Sequence, residues 1–228
     1  HVQTAGEYAK FGIPLDDLRE VARLAAAARC RIVGLHAHSG SGIFEIGSWA
    51  ETAALLLASA GQFPELRWLN VGGGLGVPEQ ADQAELDLAS MDAGLAAVRA
   101  RAPSLEFWLE PGRYLVAAAG VLLARVTQTK TKGGTRYVGV TTGMNSLIRP
   151  ALYGSWHEIV NLTRLDDAAT ERVNVVGPIC ESGDLLGLDR LLPPTQEGDV
   201  LLIANVGAYG RSMSSSYNLR EPAIEVMI

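Results

Sequence analysis

Positive charge, cysteine and long apolar runs are what this sequence has little of. Its 228 residues carry 19 Lys and Arg against 25 Asp and Glu, a net charge of −6, with a pI near 5.3. Nucleic acid and anionic membrane both reward clustered Lys and Arg, so neither is expected as the main partner. The only cysteines are Cys30 and Cys180, which excludes a disulfide scaffold and suits a reducing compartment, so a cytoplasmic location is expected. The longest apolar run, Tyr114 to Ala124, closes on Arg113 and Arg125 and falls short of the roughly 18 residues a membrane span needs. No repeat, low-complexity stretch or signal-like apolar core interrupts the chain, and its first residues, His1-Val2-Gln3-Thr4, lack a Met; a piece of a longer protein is expected. At 48% apolar and 19% charged, the chain can bury a sizeable core, which excludes intrinsic disorder.

The apolar pattern changes partway along. Leu15, Leu18, Val21, Ala22, Ala25 and Ala28 recur at helical spacing behind Pro14, with Asp16, Asp17 and Glu20 in the first turn and Arg29 near the end, which predicts an amphipathic helix matched to its dipole. A strand is expected over Ile32 to His36. A second helix is expected through Ala53 to Ala60 behind a Ser48/Glu51 capping box, and a third over Leu86 to Arg101. Trp68 to Val71 and Phe107 to Glu110 read as further strands, and alternation of strand and helix predicts parallel pairing with helices outside. After Gly120 the chain reads as mostly β: Val121 to Thr129 and Tyr137 to Thr142 around Gly133-Gly134, then Val173 to Val176 and Val200 to Ala204. The boundary is placed at residues 113 and 114.

Function in parallel α/β folds concentrates just past the carboxyl ends of strands, and three such ends carry chemistry. His36-Ala37-His38-Ser39-Gly40-Ser41 sets two imidazoles on one face, because strand side chains alternate with period two. Gly72-Gly73-Gly74 could cradle a phosphate with backbone N–H groups, or simply make a tight turn. Glu110-Pro111-Gly112-Arg113 sets a carboxylate and a guanidinium around a rigid turn, which alone reads equally as a structural ion pair. Together they are the residue types that a phosphorylated heteroaromatic cofactor needs: amides and a cation for the phosphate, an imidazole against the ring, and a carboxylate for the ring nitrogen.

These motifs resemble those of the pyridoxal-phosphate-dependent basic amino-acid decarboxylases of the alanine-racemase-like fold. Lys10-Phe11-Gly12 also resembles an element of that family, and Gly143 to Tyr153, Gly177 to Asp184 and Gly207-Ala208-Tyr209-Gly210 resemble in particular the branch of it that decarboxylates diaminopimelate. The resemblance runs along nearly the whole chain. It implies an α/β fold in which residues 1–113 form the last three or so strands of a pyridoxal-phosphate-binding (β/α)8 TIM barrel and residues 114–228 a mostly β domain. It also implies pyridoxal 5'-phosphate as cofactor and no catalytic metal. Glu110 would then hold the ring nitrogen protonated, which favours decarboxylation, since related racemases place an arginine there. His38 would lie against the ring. Ser41, Gly72, Gly73, Gly74, Gly112, Arg113 and Tyr209 would serve the phosphate or the groups beside it. Cys180 would reach across the interface of a homodimer with shared active sites and help in protonation.

The substrate implied is a small amino acid whose far end bears both an ammonium and a carboxylate, meso-diaminopimelate, giving L-lysine and CO2. Arg149 and Arg113 with Tyr153, Glu181 and Tyr209 would meet that mixed charge, since a guanidinium suits bidentate carboxylate binding. Decarboxylation of another basic amino acid and a non-catalytic, partner-binding relative are the alternatives. A zinc hydrolase on a barrel is a further rival, because His-x-His at a strand end is also a zinc pattern. His36 reads as structural, Met144 and Trp156 as core, and His157 and Tyr217 have no assigned role. Thr141-Thr142 and Ser146 stand where the family usually has aspartates, a sign of a subfamily or a changed substrate. That form, with Trp156 to Leu162, resembles the decarboxylase half of fused aspartate kinase/diaminopimelate decarboxylases. The lysine that attaches the cofactor is expected outside this chain, because Lys10 belongs to another element and Lys130 and Lys132 flank the Gly133-Gly134 turn.

Overall fold

A computed structural model describes residues 9–228, so His1-Val2-Gln3-Thr4 lies outside the described residues. The chain divides into two compact units, one of residues 9–77 together with 84–114, the other of 78–83 together with 115–228. Among the described residues no helix is long and apolar enough to cross a membrane.

The first unit alternates as the sequence predicts: α1 (Leu18–Ala27), β1 (Gly34–His36), α2 (Ser48–Ser59), β2 (Trp68–Asn70), α3 (Leu88–Arg99) and β3 (Glu106–Trp108). The strands form a parallel sheet in the order β1-β2-β3, with Leu35 opposite Leu69 and Leu69 opposite Phe107. One face packs those side chains against Trp49, Ala53 and Leu56 of α2 and Met91, Leu95 and Val98 of α3, leaving alternate positions on the other face for polar groups. Helix α3 is capped by Asp87, whose carboxylate accepts the Ser90 N–H at 3.0 Å. The capping box expected at α2 does not form. Gly47 is the N-cap, and the Glu51 N–H already donates to the Gly47 carbonyl, so Ser48 lies inside the helix. Helix α1 buries none of its residues.

The chain enters the second unit through the short α4 (Arg113–Val116) and continues as β4 (Leu122–Lys132), β5 (Thr135–Val140), α5 (Arg149–Tyr153), β6 (Ile159–Asn161), β7 (Glu171–Val176), β8 (Leu185–Leu192) and β9 (Val200–Ile203). Its six strands run in the order β6-β9-β4-β5-β7-β8, antiparallel except for β5 beside β7. Val126, Val138, Val140, Val173, Leu186, Leu201 and Ile203 fill the core. The β4–β5 hairpin turns at Gly133-Gly134, both at positive φ. Strands β6 and β8 and helix α5 carry no clear sequence signal: β8 is leucine-rich rather than β-branched, holds Gly187, and kinks at Asp189, where φ is 51° and its register against β7 shifts.

Candidate active site

The parallel ladder of the first unit continues beyond its strands and carries the strand-end residues together. Ala37 N–H donates to the Asn70 carbonyl, Val71 N–H to that of Trp108, and Glu110 N–H to that of Gly72. His36, Asn70 and Trp108 are therefore level with one another on one face, with Glu110 two residues further on. The Glu110 carboxylate meets two nitrogen donors: Asn70 Nδ2 lies 2.9 Å from Oε1 and His36 Nε2 3.0 Å from Oε2. Asn70 Oδ1 accepts the Gly72 N–H at 2.9 Å, which fixes the amide so that its NH2 group faces Glu110.

His38 lies one step beyond His36 on the same face. Its Nδ1 accepts the Gly73 N–H at 3.1 Å, so in the neutral ring the hydrogen sits on Nε2. Burial, reinforced by His36 and opposed by Glu110, lowers the His38 pKa below the ordinary histidine value, which favours that neutral ring. Trp49 of α2, wholly buried, donates its indole N–H to the Gly73 carbonyl at 2.9 Å and ties the glycine loop to the core.

The glycine triplet is explained first by packing. A Cβ on Gly73 would stand 2.0 Å from the Glu110 carbonyl oxygen, and one on Gly74 2.1 Å from that of Gly40, so the loops after the three strands interlock only without side chains. Two of the three expected phosphate donors are engaged inside the protein, Gly72 by Asn70 and Gly73 by His38. The Gly74 amide and the 39–42 loop would be left to hold a phosphate. Arg113 Nη2 reaches that loop, 3.1 Å from the point a Gly42 Cβ would occupy, and Ser41 is exposed on it. An acceptor carboxylate, a neutral imidazole and a guanidinium beside an open glycine loop fit a phosphorylated pyridine ring. Both histidines of the proposed zinc pattern have other partners, and among the described residues no three His, Cys, Asp or Glu side chains gather to hold a metal.

In the second unit Arg149, buried in α5, lies over two rings, 5.9 Å from the centre of Tyr153 and 5.7 Å from that of Tyr209. The predicted substrate residues Arg149, Tyr153 and Tyr209 are thus together. Glu181 forms a separate group: it accepts the Tyr217 hydroxyl at 3.0 Å and the Gly183 N–H and Ser182 hydroxyl, each at 3.2 Å. These bonds, that from Gly183 foremost, hold its carboxyl below the usual range. Cys180, beside it, is a free and exposed thiol. Behind both, the buried Asp184 accepts the Met144 N–H at 2.6 Å and the Ile179 N–H at 2.7 Å, pinning two motif loops to each other.

Sequence reading missed several of these partners. Asn70 and Tyr217 have no role in that reading, Asp184 stands only as the end of the Gly177 to Asp184 motif, and His36, read as structural, meets Glu110. The period-two face that joins His36 to His38 was the available signal for His36, since it places both imidazoles at the Glu110 strand end. The aspartate replacements serve packing: the Thr142 and Ser146 hydroxyls are buried and hydrogen-bonded to each other, Ser146 also accepts the Ala223 N–H at 2.8 Å, and Thr141 accepts that of Arg125. His157 is buried, with Nδ1 2.8 Å from the Ala204 carbonyl. Trp156 is only partly buried and lies against Arg190, whose guanidinium carbon is 3.1 Å from the ring centre. Met144 is also only partly buried.

Comparison with known proteins places this geometry in context. Residues 1–117 match the family described as pyridoxal-dependent decarboxylase, pyridoxal binding domain, and residues 91–207 match the pyridoxal-dependent decarboxylase C-terminal sheet domain. The diaminopimelate decarboxylase of Methanothermobacter thermautotrophicus is 41% identical over the whole chain, which covers 56% of that relative. That of Pseudomonas aeruginosa is 40% identical, with 55% covered. A crystal structure of diaminopimelate decarboxylase superposes with a TM-score of 0.87 at 35% identity, covering 94% of this chain and 55% of that one. The Helicobacter pylori enzyme complexed with L-lysine superposes at 0.82 and 34% identity, covering 97% and 56%. The chain spans a little over half the length of the relatives it matches.

Proposed function

The chain belongs to the pyridoxal-dependent decarboxylase family, and from that membership we propose that the protein containing it removes a carboxylate from meso-diaminopimelate as CO2 and releases L-lysine. The observation that carries this reading is the Glu110 carboxylate held between Asn70 and His36. With both oxygens already accepting, it keeps spare lone pairs for a third donor, the protonated ring nitrogen of the cofactor. The chemistry supplied by bound pyridoxal phosphate is an electron sink for the pair left when CO2 departs, and a protonated ring nitrogen deepens that sink. His38 offers the flat face of a neutral imidazole to the ring, while Arg113, the Gly74 amide and Ser41 hold the phosphate.

Arg149, steadied by Tyr153 and Tyr209, takes the distal carboxylate of the substrate, and Glu181 the distal ammonium. Lysine and ornithine offer only a cation at that end, which a guanidinium repels where it attracts a carboxylate; this favours diaminopimelate. Cys180 delivers a proton to the reacting carbon of a partner copy, so the active protein is a homodimer, and its free thiols suit the cytoplasm. The test is turnover by the full-length protein loaded with cofactor, offered meso-diaminopimelate, lysine, ornithine and arginine in parallel. Lysine and CO2 from diaminopimelate alone are expected; turnover of ornithine or arginine in its place would overturn the substrate reading.

A further inference from the structure

We propose that His36 is a positioning residue that, with Asn70, locks the Glu110 carboxylate in one orientation toward the cofactor ring nitrogen. The inference rests on the cofactor reading above and deepens it by naming what makes Glu110 effective. A glutamate side chain turns about three torsions, and one hydrogen bond leaves its carboxylate free to pivot. Asn70 cannot pivot, because the Gly72 N–H holds its carbonyl oxygen, but it reaches only Oε1 of Glu110. The second point comes from His36, whose Nε2 faces Oε2 at 3.0 Å. Two donors on two oxygens fix the plane of the carboxylate.

Both partners are acceptor and donor in a defined sense. Glu110 accepts at each oxygen, so Nε2 of His36 carries the hydrogen. A ring with its hydrogen on Nε2 orients the carboxylate and leaves lone pairs on its oxygens for a ring N–H. Stability does not account for the contact. The two side chains are 47% and 54% exposed, and a pair so open to water adds little to folding. The Nε2 that faces Glu110 is also closed to a metal.

The test uses the full-length protein loaded with pyridoxal phosphate labelled with 15N in the ring, whose NMR resonance distinguishes a protonated from an unprotonated nitrogen. The wild type is expected at the protonated end. His36→Phe keeps the ring volume and removes the donor; the resonance is expected to move toward the unprotonated end and the cofactor dissociation constant to rise about tenfold. His36→Gln, which restores an N–H, is expected to recover most of both, and His36→Ala serves if the Phe variant does not fold. A resonance and affinity unchanged in His36→Phe or His36→Ala, while Glu110→Gln moves both, would overturn the inference and leave the cofactor reading standing. A wild-type nitrogen already unprotonated would overturn the role of Glu110 and this inference with it.

Discussion

Glu110 in the first unit and Asp184 in the second are each held by two N–H donors, yet the donors differ in kind. Those of Asp184 are backbone amides, Met144 and Ile179, and the residue is 3% exposed; the path of two loops depends on it. Those of Glu110 are the side chains of Asn70 and His36, while its own backbone is secured in the ladder by Gly72. The backbone pairing at Glu110 does not use the carboxylate. Asp184, buried and bonded to backbone, ties two loops together; Glu110, half exposed and bonded to side chains, keeps lone pairs for a further donor.

Glu110→Gln is the largest way to break that contrast. In the full-length loaded protein, turnover is expected to fall by about a hundredfold or more, the scale of losing an aimed charge in a site, while urea unfolding shifts by less than about 0.5 kcal/mol, as for an exposed change. Near-normal turnover would remove Glu110 from the chemistry. Asp184→Ala is its mirror: two N–H groups lose their acceptor, at about 1–3 kcal/mol each, so unfolding measured in urea is expected to show a loss of about 2–6 kcal/mol. A stability unchanged by this substitution would mean that the two loops hold themselves. Arg149→Ala is smaller. The loss of a charge-assisted bond to the distal carboxylate is expected to lower kcat/KM for diaminopimelate about ten- to a hundredfold, with a lesser effect on a substrate without that carboxylate. Equal losses on both substrates would make Arg149 structural.

What the sequence revealed follows the same division. In the first unit, period-two alternation and the strand-end rule picked out His38, Gly72 to Gly74, Glu110 and Arg113, because parallel strands in register convert sequence position directly into position on a face. The use of each group was less legible: Gly72 and Gly73 donate inward to Asn70 and His38, which only the pairing of β1 with β2 determines. In the second unit neither alternation nor spacing could bring Arg149 over Tyr209 or Tyr217 onto Glu181, since those contacts are made by loops and a five-residue helix. Strand β8 stayed hidden for a related reason. Its Gly187 and the left-handed Asp189 break the pattern that a regular strand would show.

Tyr217→Phe is the smallest perturbation and isolates the loop-built side of the contrast. The Tyr217 hydroxyl is one of three donors to Glu181, after the Gly183 N–H and alongside the Ser182 hydroxyl, and its own pKa is raised by donating to that carboxylate. Removing it leaves the strongest donor in place, so the Glu181 carboxyl is expected to titrate higher than in the wild type yet still below the ordinary range, a shift readable by 13C NMR. Because the folded-state pKa is lowered, the stabilisation from ionised Glu181 is present above the unfolded carboxylate value and disappears as pH falls through the folded one. Variant and wild type should therefore differ slightly near neutral pH and converge in acid. With the carboxylate less firmly held, KM for diaminopimelate is expected to rise a few-fold with kcat little changed, as for binding lost equally from the ground and transition states. If the Glu181 titration stays where it is, Tyr217 is a bystander, and the Gly183 and Ser182 donors alone hold the carboxyl down.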